Sequence, residues 1–490
     1  TNSTYDAWSP ARAYSHYHGG VRILSETASC RLATPITVRF DQLRKGEGYD
    51  PRKESATFGP VWRGGEWHLR DITNNMTTAA FMLLRHASEK REEWLKRFYD
   101  IAKDAVRPKA HGKLFAFLLP YQKDDPESDA HRSALLSILK RGGVETQAVK
   151  TFRLNGIVFP QGTTVIRLDQ PYGLFAKALL ERQVYPNLRD AEGHPIQPYD
   201  VTAHSLALLM DVPVTPIYSP ITLKSALERG GYAWVSGCDH PVTSGLYRSS
   251  VPSMDEGWTH WVFENQARSN GCFRYQSISD REIKSHKLQK YHAIILPDQA
   301  PATILNGYKP GIMPSEYTGG LGQAGVKALR EFVEQGGSLV CLNRASTFAI
   351  EQFKLPLRDV VADVSEKDFF VPGSILSIEL DTSHPLAEGM PKESIAWVED
   401  SPVFEVVRTG NISDRLSIPD SNVHVIARYP ADKNPLLSGW LLGENRIRGK
   451  AALVEVTMGK GRIILFGFRP QYRGQSLATY PLFLNAISGK

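Results

Sequence analysis

The chain of 490 residues is 42% hydrophobic and 22% charged, and 58 basic residues against 52 acidic ones leave a net charge of +6. That length is beyond a single core, so about two to four domains are expected of an ordinary globular composition. Basic residues form no block, which leaves a nucleic-acid partner without support, and no apolar run approaches the ~18 residues of a membrane span.

The sequence opens Thr1-Asn2-Ser3-Thr4, with neither Met nor an apolar signal segment, so either a leader has been removed or the chain is a piece of something longer. Residues 20–35 read as a strand, Val21-Arg22-Ile23-Leu24, followed by small residues. A helix is expected from about Thr73 to Val106, because Met76, Ala80, Leu83, Ala87, Trp94, Phe98 and Ile101 recur at three- and four-residue steps and form one stripe against a core. Thr73 would cap it and Pro108 close it.

A second unit begins with the short apolar strand Phe115–Leu119 and continues into a helix, Ala130–Lys140, that stops at Gly142-Gly143. Phe152 to Leu168 reads as a hairpin turning at Asn155-Gly156. A third unit carries continuous apolar runs at Ala293–Leu296, Ser338–Leu342 and Arg462–Phe466, the pattern of parallel strands buried on both faces, with a helix from Val326 to Gln335. The fold class expected is α/β, divided at 1–108, 109–225 and 226–490.

Four cysteines, Cys30, Cys238, Cys272 and Cys341, show no C-x-x-C spacing, which argues against a structural zinc site or a thioredoxin motif. Cys238 and Cys272 could pair in an oxidising compartment, although free buried Cys is the commoner state. Composition leaves the compartment open.

Three stretches together resemble one bacterial architecture. Tyr5-Asp6-x-Trp8-x-Pro10 through Tyr17-His18-Gly19-Gly20-Val21-Arg22-Ile23-Leu24-Ser25-Glu26 resembles the last part of a carboxypeptidase A-like zinc peptidase domain. Met254-Asp255-Glu256-Gly257-Trp258-Thr259 and Pro314-Ser315-Glu316-Tyr317-Thr318-Gly319-Gly320-Leu321-Gly322 resemble the region beyond the peptidase domain in large members of that family, which end in a domain similar to class I glutamine amidotransferases. The resemblance thus implies the end of a carboxypeptidase-like α/β domain (1–108), a small α/β domain (109–225) and an amidotransferase-like, flavodoxin-like parallel-sheet domain (226–490).

By position, Glu26 matches the family's general base, the carboxylate that takes a proton from zinc-bound water as it attacks a peptide carbonyl. The alternative is a buried Glu held by backbone donors at a strand end. The family also places a Tyr near the substrate roughly twenty residues earlier; Tyr5 lies at about that distance, and Tyr14 and Tyr17 are nearer. Arg12 could meet a substrate carboxylate with two hydrogen bonds, and His18 completes the candidate substrate-binding set. Packing or surface roles are the alternative for each.

Zinc is the cofactor the family implies, but its ligand set is missing from this chain. His16-x-His18 would face one side of a strand, yet two ligands make a weak site. The literal H-x-x-E, His86-Ala87-Ser88-Glu89, sits in the expected long helix and reads as a solvated flank. The resemblance therefore implies hydrolysis of a peptide substrate by a protein in which a missing N-terminal peptidase portion supplies the metal site, and it favours a secreted or periplasmic location. The competing class is a non-catalytic ligand-binding or assembly module built on a degenerate amidotransferase-like domain.

Two features of that domain bear on the choice. Amidotransferases place a nucleophilic Cys on a sharp strand-to-helix turn, whereas here the turn reads Asn343-Arg344-Ala345-Ser346 and Cys341 lies two residues earlier, inside the strand. Asn343 and Arg344 mark a possible ligand pocket at the strand end. Gly320-Leu321-Gly322-Gln323-Ala324-Gly325 spells a dinucleotide fingerprint, but it does not follow directly on a strand, so a Gly-rich turn for close helix packing is expected instead.

Overall fold

The computed structural model describes residues 10–23, 27, 33–44, 50–55, 59–198, 200–226, 242–270, 273–407 and 419–488. Its first element is a helix, α1 (Pro10–Tyr17), which takes in His16 where the His16-x-His18 pairing requires a strand. Pro10 opens it with a φ already suited to the helix, and Ala11 and Ala13 favour its continuation. On a helix His16 cannot share a face with a residue two positions on, so the paired-ligand geometry of a strand is lost. Val21 and Ile23 are exposed and outside any strand. Leu24 lies outside the described residues, as do Tyr5, Glu26, Cys30, Cys238 and Cys272.

The expected single long helix is two, α2 (Leu69–Glu89) and α3 (Arg91–Ala105), separated at Lys90. It starts before Thr73, with His68 at the N-cap position and the Asp71 carboxylate reaching back to accept the His68 N–H at 2.8 Å. The apolar stripe is real, yet no residue of α2 is buried, and Phe81 and Leu95 are each 67% exposed. Periodicity shows which face can be covered; it does not supply the cover.

The second unit is a four-stranded antiparallel sheet flanked by helices. In chain order its elements are β1 (Ala116–Leu119), α4 (Pro126–Arg141), β2 (Gln147–Ala148), a hairpin of β3 (Phe152–Leu154) and β4 (Ile157–Phe159), β5 (Thr164–Arg167), α5 (Gly173–Leu180) and β6 (Thr215–Ile217). The sheet order is β2-β5-β1-β6. The hairpin turns at Asn155 and Gly156, with φ of 49° and 80°, the left-handed pair that matches strand twist. Its Phe152 and Phe159 rings stack at 5.1 Å. Asp125 caps α4 by accepting from the Ser128 N–H at 3.0 Å.

The third unit contains a twelve-stranded sheet among the described residues. Its principal elements are β7 (Val242–Tyr247), α6 (Met254–Asn270), β8 (Phe273–Ile278), β9 (Ala293–Leu296), α7 (Gly322–Glu334), β10 (Ser338–Leu342) and α8 (Ala345–Phe353). Then come β11 (Ser374–Leu380), β12 (Glu393–Val398), β13 (Val423–Arg428), β14 (Ala451–Met458), β15 (Gly461–Phe466) and α9 (Tyr480–Ser488). The parallel half runs β8-β7-β9-β10-β15, and the sheet continues antiparallel through β14, β13, β11 and β12. Counted along the chain, the parallel half has the 2-1-3-4-5 order of flavodoxin-like sheets. The protein is therefore α/β, and the flavodoxin-like parallel sheet expected for 226–490 is present as one half of a mixed sheet. Residues of β9 and β10 are wholly buried because helices cover both faces.

Of the glycines at the start of α7, Gly322 takes a positive φ of 55° in open space, whereas Gly320 acts through close packing. A Cβ on Gly320 would lie 2.6 Å from the Ile304 carbonyl oxygen and 2.7 Å from the Gly307 nitrogen. By contrast, a Cβ on Gly257, inside α6, would meet nothing within 4 Å. Gly320→Ala is therefore expected to destabilise the fold by about 1–3 kcal/mol through overpacking. Gly257→Ala should instead stabilise it by roughly 0.5–1 kcal/mol by restricting the unfolded chain. Urea denaturation of both variants measures the contrast; equal effects would refute the packing account.

Candidate functional site

Parallel strands end together, so the loops after β7, β9, β10 and β15 meet at one edge of the sheet, the edge where such sheets hold ligands. The central element is Asp298, two residues beyond β9, with its side chain 3% exposed. Its Oδ1 accepts from Asn343 Nδ2 at 3.0 Å, the Arg344 N–H at 3.0 Å and Arg344 Nε at 2.9 Å. Its Oδ2 accepts from an Arg344 terminal nitrogen at 2.6 Å and an Arg469 nitrogen at 3.1 Å. Arg469, just past β15, also meets Asp255 in the first turn of α6 at 3.2 Å and the Glu399 carboxylate at 3.4 Å, and it donates to the Glu399 carbonyl. Gln471 donates to Thr259 Oγ1 at 3.2 Å. Four strand ends and one helix start are thus tied by one buried set of charges.

The electrostatics follow from the count. Asp255, Asp298, Glu399 and Asp400 face Arg344, Arg469 and Arg473, so the carboxylates outnumber the cations by one. Burial pushes Asp255 up to about 7; Arg469 opposes the shift, and the charges of Asp298 and Glu399 add to it. Burial also pushes at Asp298, but the hydrogen bonds from Arg344 and the charge of Arg469 outweigh it and hold that carboxyl below the usual range. Burial likewise raises Glu399. Asp255 is thus the carboxyl of this set that burial pushes to about 7.

The turn after β10 has strand-turn-helix geometry like that of a nucleophile elbow. Its apex, Asn343, has a φ of 53°, which Asn tolerates better than most residues. The side chain is wholly buried and donates to Asp298 and to the carbonyls of Glu399 and Asp400. Ser346 Oγ fastens the start of α8, its single proton shared between the carbonyls of Cys341 and Phe466 at 3.1 and 3.0 Å. An amide thus occupies the apex where acyl-transfer chemistry needs a nucleophile. Cys341 is fully buried inside β10, and burial raises its thiol well above the ordinary range.

To one side of this network lies a crevice of about 410 Å³, lined by Tyr247 at the end of β7, the 248–253 loop, Glu256, Ser279 beyond β8, Pro297 and Gln299 beyond β9, and Tyr317. It sits where β7 has β8 on one flank and β9 on the other, the point at which the chain reverses its direction of travel across the sheet. The loop is pinned: Ser253 Oγ donates to the Asp298 carbonyl at 2.9 Å, Gln299 Nε2 to the Val251 carbonyl at 2.6 Å, and the Arg248 N–H to the Ile278 carbonyl at 2.9 Å. Ser249, Ser250 and Ser279 supply hydroxyls, and Arg248 and Glu256 supply opposite charges.

Of the residues expected from sequence, Asn343 and Arg344 are brought together at this edge, Asn343 buried and Arg344 39% exposed. Arg12 lies on α1. Tyr14 and His18 pack α1 against the second unit rather than lining a cleft. The His18 ring stacks 4.1 Å from Tyr14 and lies 4.5 Å from Tyr172 and 5.0 Å from Phe175. Its two nitrogens are 2.9 and 2.8 Å from the carbonyl oxygens of Tyr14 and Gly142. A His so engaged does not fit zinc, and no group of three or more His, Cys, Asp or Glu placed to hold a metal occurs among the described residues. His86 accepts from Trp94 Nε1 at 3.1 Å and Glu89 pairs with Arg85 at 2.7 Å, as expected of a solvated helix flank. No helix among the described residues is long and apolar enough to cross a membrane.

Sequence reasoning missed Asp298, Arg469 and Glu399. A signal existed for the first two: each stands within three residues of the end of a continuous apolar strand, where a charge on a buried sheet needs a partner. Glu399 comes directly after β12, whose place beside the site depends on the sheet's antiparallel extension.

No protein-family model matches the chain, and no curated protein sequence does. Several solved structures align with about half of this chain at low similarity. A ThuA-like protein of Bacteroides uniformis is 13% identical, with a TM-score of 0.31, over 51% of this chain and 91% of that one. A ThuA-like protein of Parabacteroides merdae is 13% identical, with a TM-score of 0.31, over 50% of this chain and 90% of that one. A glutamine amidotransferase of Thermotoga maritima is 9% identical, with a TM-score of 0.28, over 47% of this chain and 77% of that one.

Two outcomes are expected of the site itself. An unfolded Asp has a pKa near 3.9, below that of folded Asp255, so the folded state holds the extra proton and stability falls as pH rises from about 4 to about 7. Asp255→Asn removes the unmatched charge. It should gain on the order of 1–3 kcal/mol over the parent near pH 8, and the gain should shrink near pH 5. Thermal melts at both pH values check this, and a pH-independent difference would refute it. Cys341 should stay unmodified when the native protein meets iodoacetamide or a glutamine-analogue electrophile, as read by peptide mass spectrometry. Selective labelling there would restore a nucleophile to the domain.

Proposed function

We propose that the third unit is a non-catalytic module that binds a small polar ligand in the crevice between the carboxyl ends of β7 and β9. The observation behind this reading is the division of the sheet edge. An open crevice occupies the topological switch point, whereas the elbow apex carries a buried amide held by carboxylate and carbonyl oxygens. The volume falls in the range of small-molecule sites, about 300–1,000 Å³. Hydroxyls with one cation and one anion suit a polyhydroxylated or zwitterionic ligand, since neither charge dominates the walls.

The competing reading, zinc-dependent removal of a C-terminal residue from a peptide, would rest on Glu26 and Tyr5 together with metal ligands from outside this sequence. No described residue favours it.

Calorimetry with a panel of sugars and free amino acids tests the module. Saturable binding is expected with a dissociation constant between roughly 10 μM and 1 mM. Arg248→Ala should weaken it about tenfold, the usual cost of one charge-assisted hydrogen bond. Ser250→Trp should abolish binding by filling the crevice while leaving the melting temperature near that of the parent. Absence of binding across the panel, or binding indifferent to both changes, would overturn the reading; turnover of a bound ligand would overturn its non-catalytic part.

A further inference from the structure

On the far side of the Asp298 network from the switch-point crevice lies a second cavity, about 270 Å³, outside the outer face of Arg344. Its walls combine two half-buried rings, Phe369 and Phe370, with three carboxylates, Asp359, Glu366 and Asp400. Arg344 is the cation on the wall, and Asp298 already neutralises it through two hydrogen bonds at 2.9 and 2.6 Å. None of the three wall carboxylates has a cationic partner within salt-bridge distance among the described residues. Asp359 accepts the Val361 and Val403 N–H groups on Oδ1, at 3.1 and 3.0 Å, which fixes the carboxylate in place, and Oδ2 accepts no hydrogen bond from the described residues. Asp400 is held at a φ of 48°, and its carbonyl takes the Asn343 amide at 3.2 Å.

We propose that this cavity is a binding site for an organic cation, an aryl- or alkylammonium or guanidinium group, which the three carboxylates attract while its apolar part lies against Phe369 and Phe370. The chemistry selects for charge sign. An anion would face three carboxylates and a single cation, Arg344, which Asp298 already holds, whereas an ammonium gains charge-assisted hydrogen bonds and contact with two aromatic side chains. Burial raises the Asp359 carboxyl above its usual range, with Asp363 adding to the shift and the two backbone N–H groups opposing it, so a bound cation would relieve a cost the folded chain carries. The site shares no wall residue with the switch-point crevice, and a result at one leaves the other standing.

The test uses the whole chain and three isosteric probes: benzylammonium, benzyl alcohol and benzoate. Titration calorimetry should show saturable benzylammonium binding, with a dissociation constant on the order of 1 mM or tighter for so small a ligand. Benzyl alcohol should bind at least about tenfold more weakly and benzoate not at all. Asp400→Asn preserves the left-handed backbone and should weaken benzylammonium about tenfold, and Glu366→Gln, on an exposed loop, should weaken it in the same direction. Phe370→Leu should weaken benzylammonium and benzyl alcohol alike. Melting temperatures within a few degrees of the parent confirm that each variant folds. Benzoate binding as tightly as benzylammonium, benzylammonium affinity indifferent to Asp400→Asn and Glu366→Gln, or no saturation at about 10 mM would each overturn the proposal.

Discussion

Arg469 is the residue on which the sheet edge depends. It is 5% exposed and stands among three carboxylates from three elements, so its removal would leave buried charges with one guanidinium to share. A half-broken buried pair costs about 3–5 kcal/mol, far more than an exposed one is worth. Such a network is a weak source of stability, because desolvation cancels most of its Coulomb energy. Its consequence is geometric. Each carboxylate oxygen of Asp298 accepts from donors at fixed angles, so the β9, β10 and β15 ends can sit in only one mutual arrangement.

That arrangement explains how an elbow persists without a nucleophile. A strand-to-helix turn with a residue at positive φ stores strain, and strain survives only where the surroundings over-determine it. Around Asn343 they do: three acceptors hold its amide, and Ser346 anchors the next turn to two strands. A thiol or hydroxyl at the apex has one donor hydrogen to place among Asp298, Glu399 and Asp400, where the amide has two. The side chain that makes the turn rigid is thus one that cannot attack a carbonyl.

Much of the parallel core was legible because its signal is local. Ala293–Leu296, Leu339–Leu342 and Ile463–Phe466 are apolar without interruption, and a strand covered on both faces needs nothing else. Asn155-Gly156 was legible for the same reason, since the turn type demands those residues. The N-terminal readings went astray where the outcome depends on partners. Val21-Arg22-Ile23 has strand propensity but pairs with no strand, and Tyr14 to His18 alternates like a strand yet lies at and just beyond the end of a helix whose rings meet Tyr172 and Phe175. The site was half legible. Asn343 and Arg344 follow from the strand end, but the Asp298 carboxylate and the Glu399 carbonyl that Asn343 meets come from positions 45 and 56 residues away, which a single sequence does not pair.

The second unit matters to the site through packing. One buried cluster joins Phe117, Leu135 and Leu179 of that unit to Ile375, Ile395 and Trp397 of the large sheet and to Tyr472, three residues past Arg469. Trp397 and Tyr472 stack at 3.7 Å, and Trp258, on the helix that carries Asp255, meets Tyr472 edge-on at 5.3 Å. Aromatic side chains of this kind bury about 150–250 Å² each, worth roughly 4–6 kcal/mol apiece at ~25 cal/mol per Å². Removing the second unit would return part of that area to water at the loop that positions Arg469. The Pro470 carbonyl, which accepts from Ser476 and Thr479, closes the same loop from its other end. Arg469 therefore takes its position from apolar packing on one side and meets its charges on the other, which makes the two units one cooperative structure as far as the sheet edge is concerned.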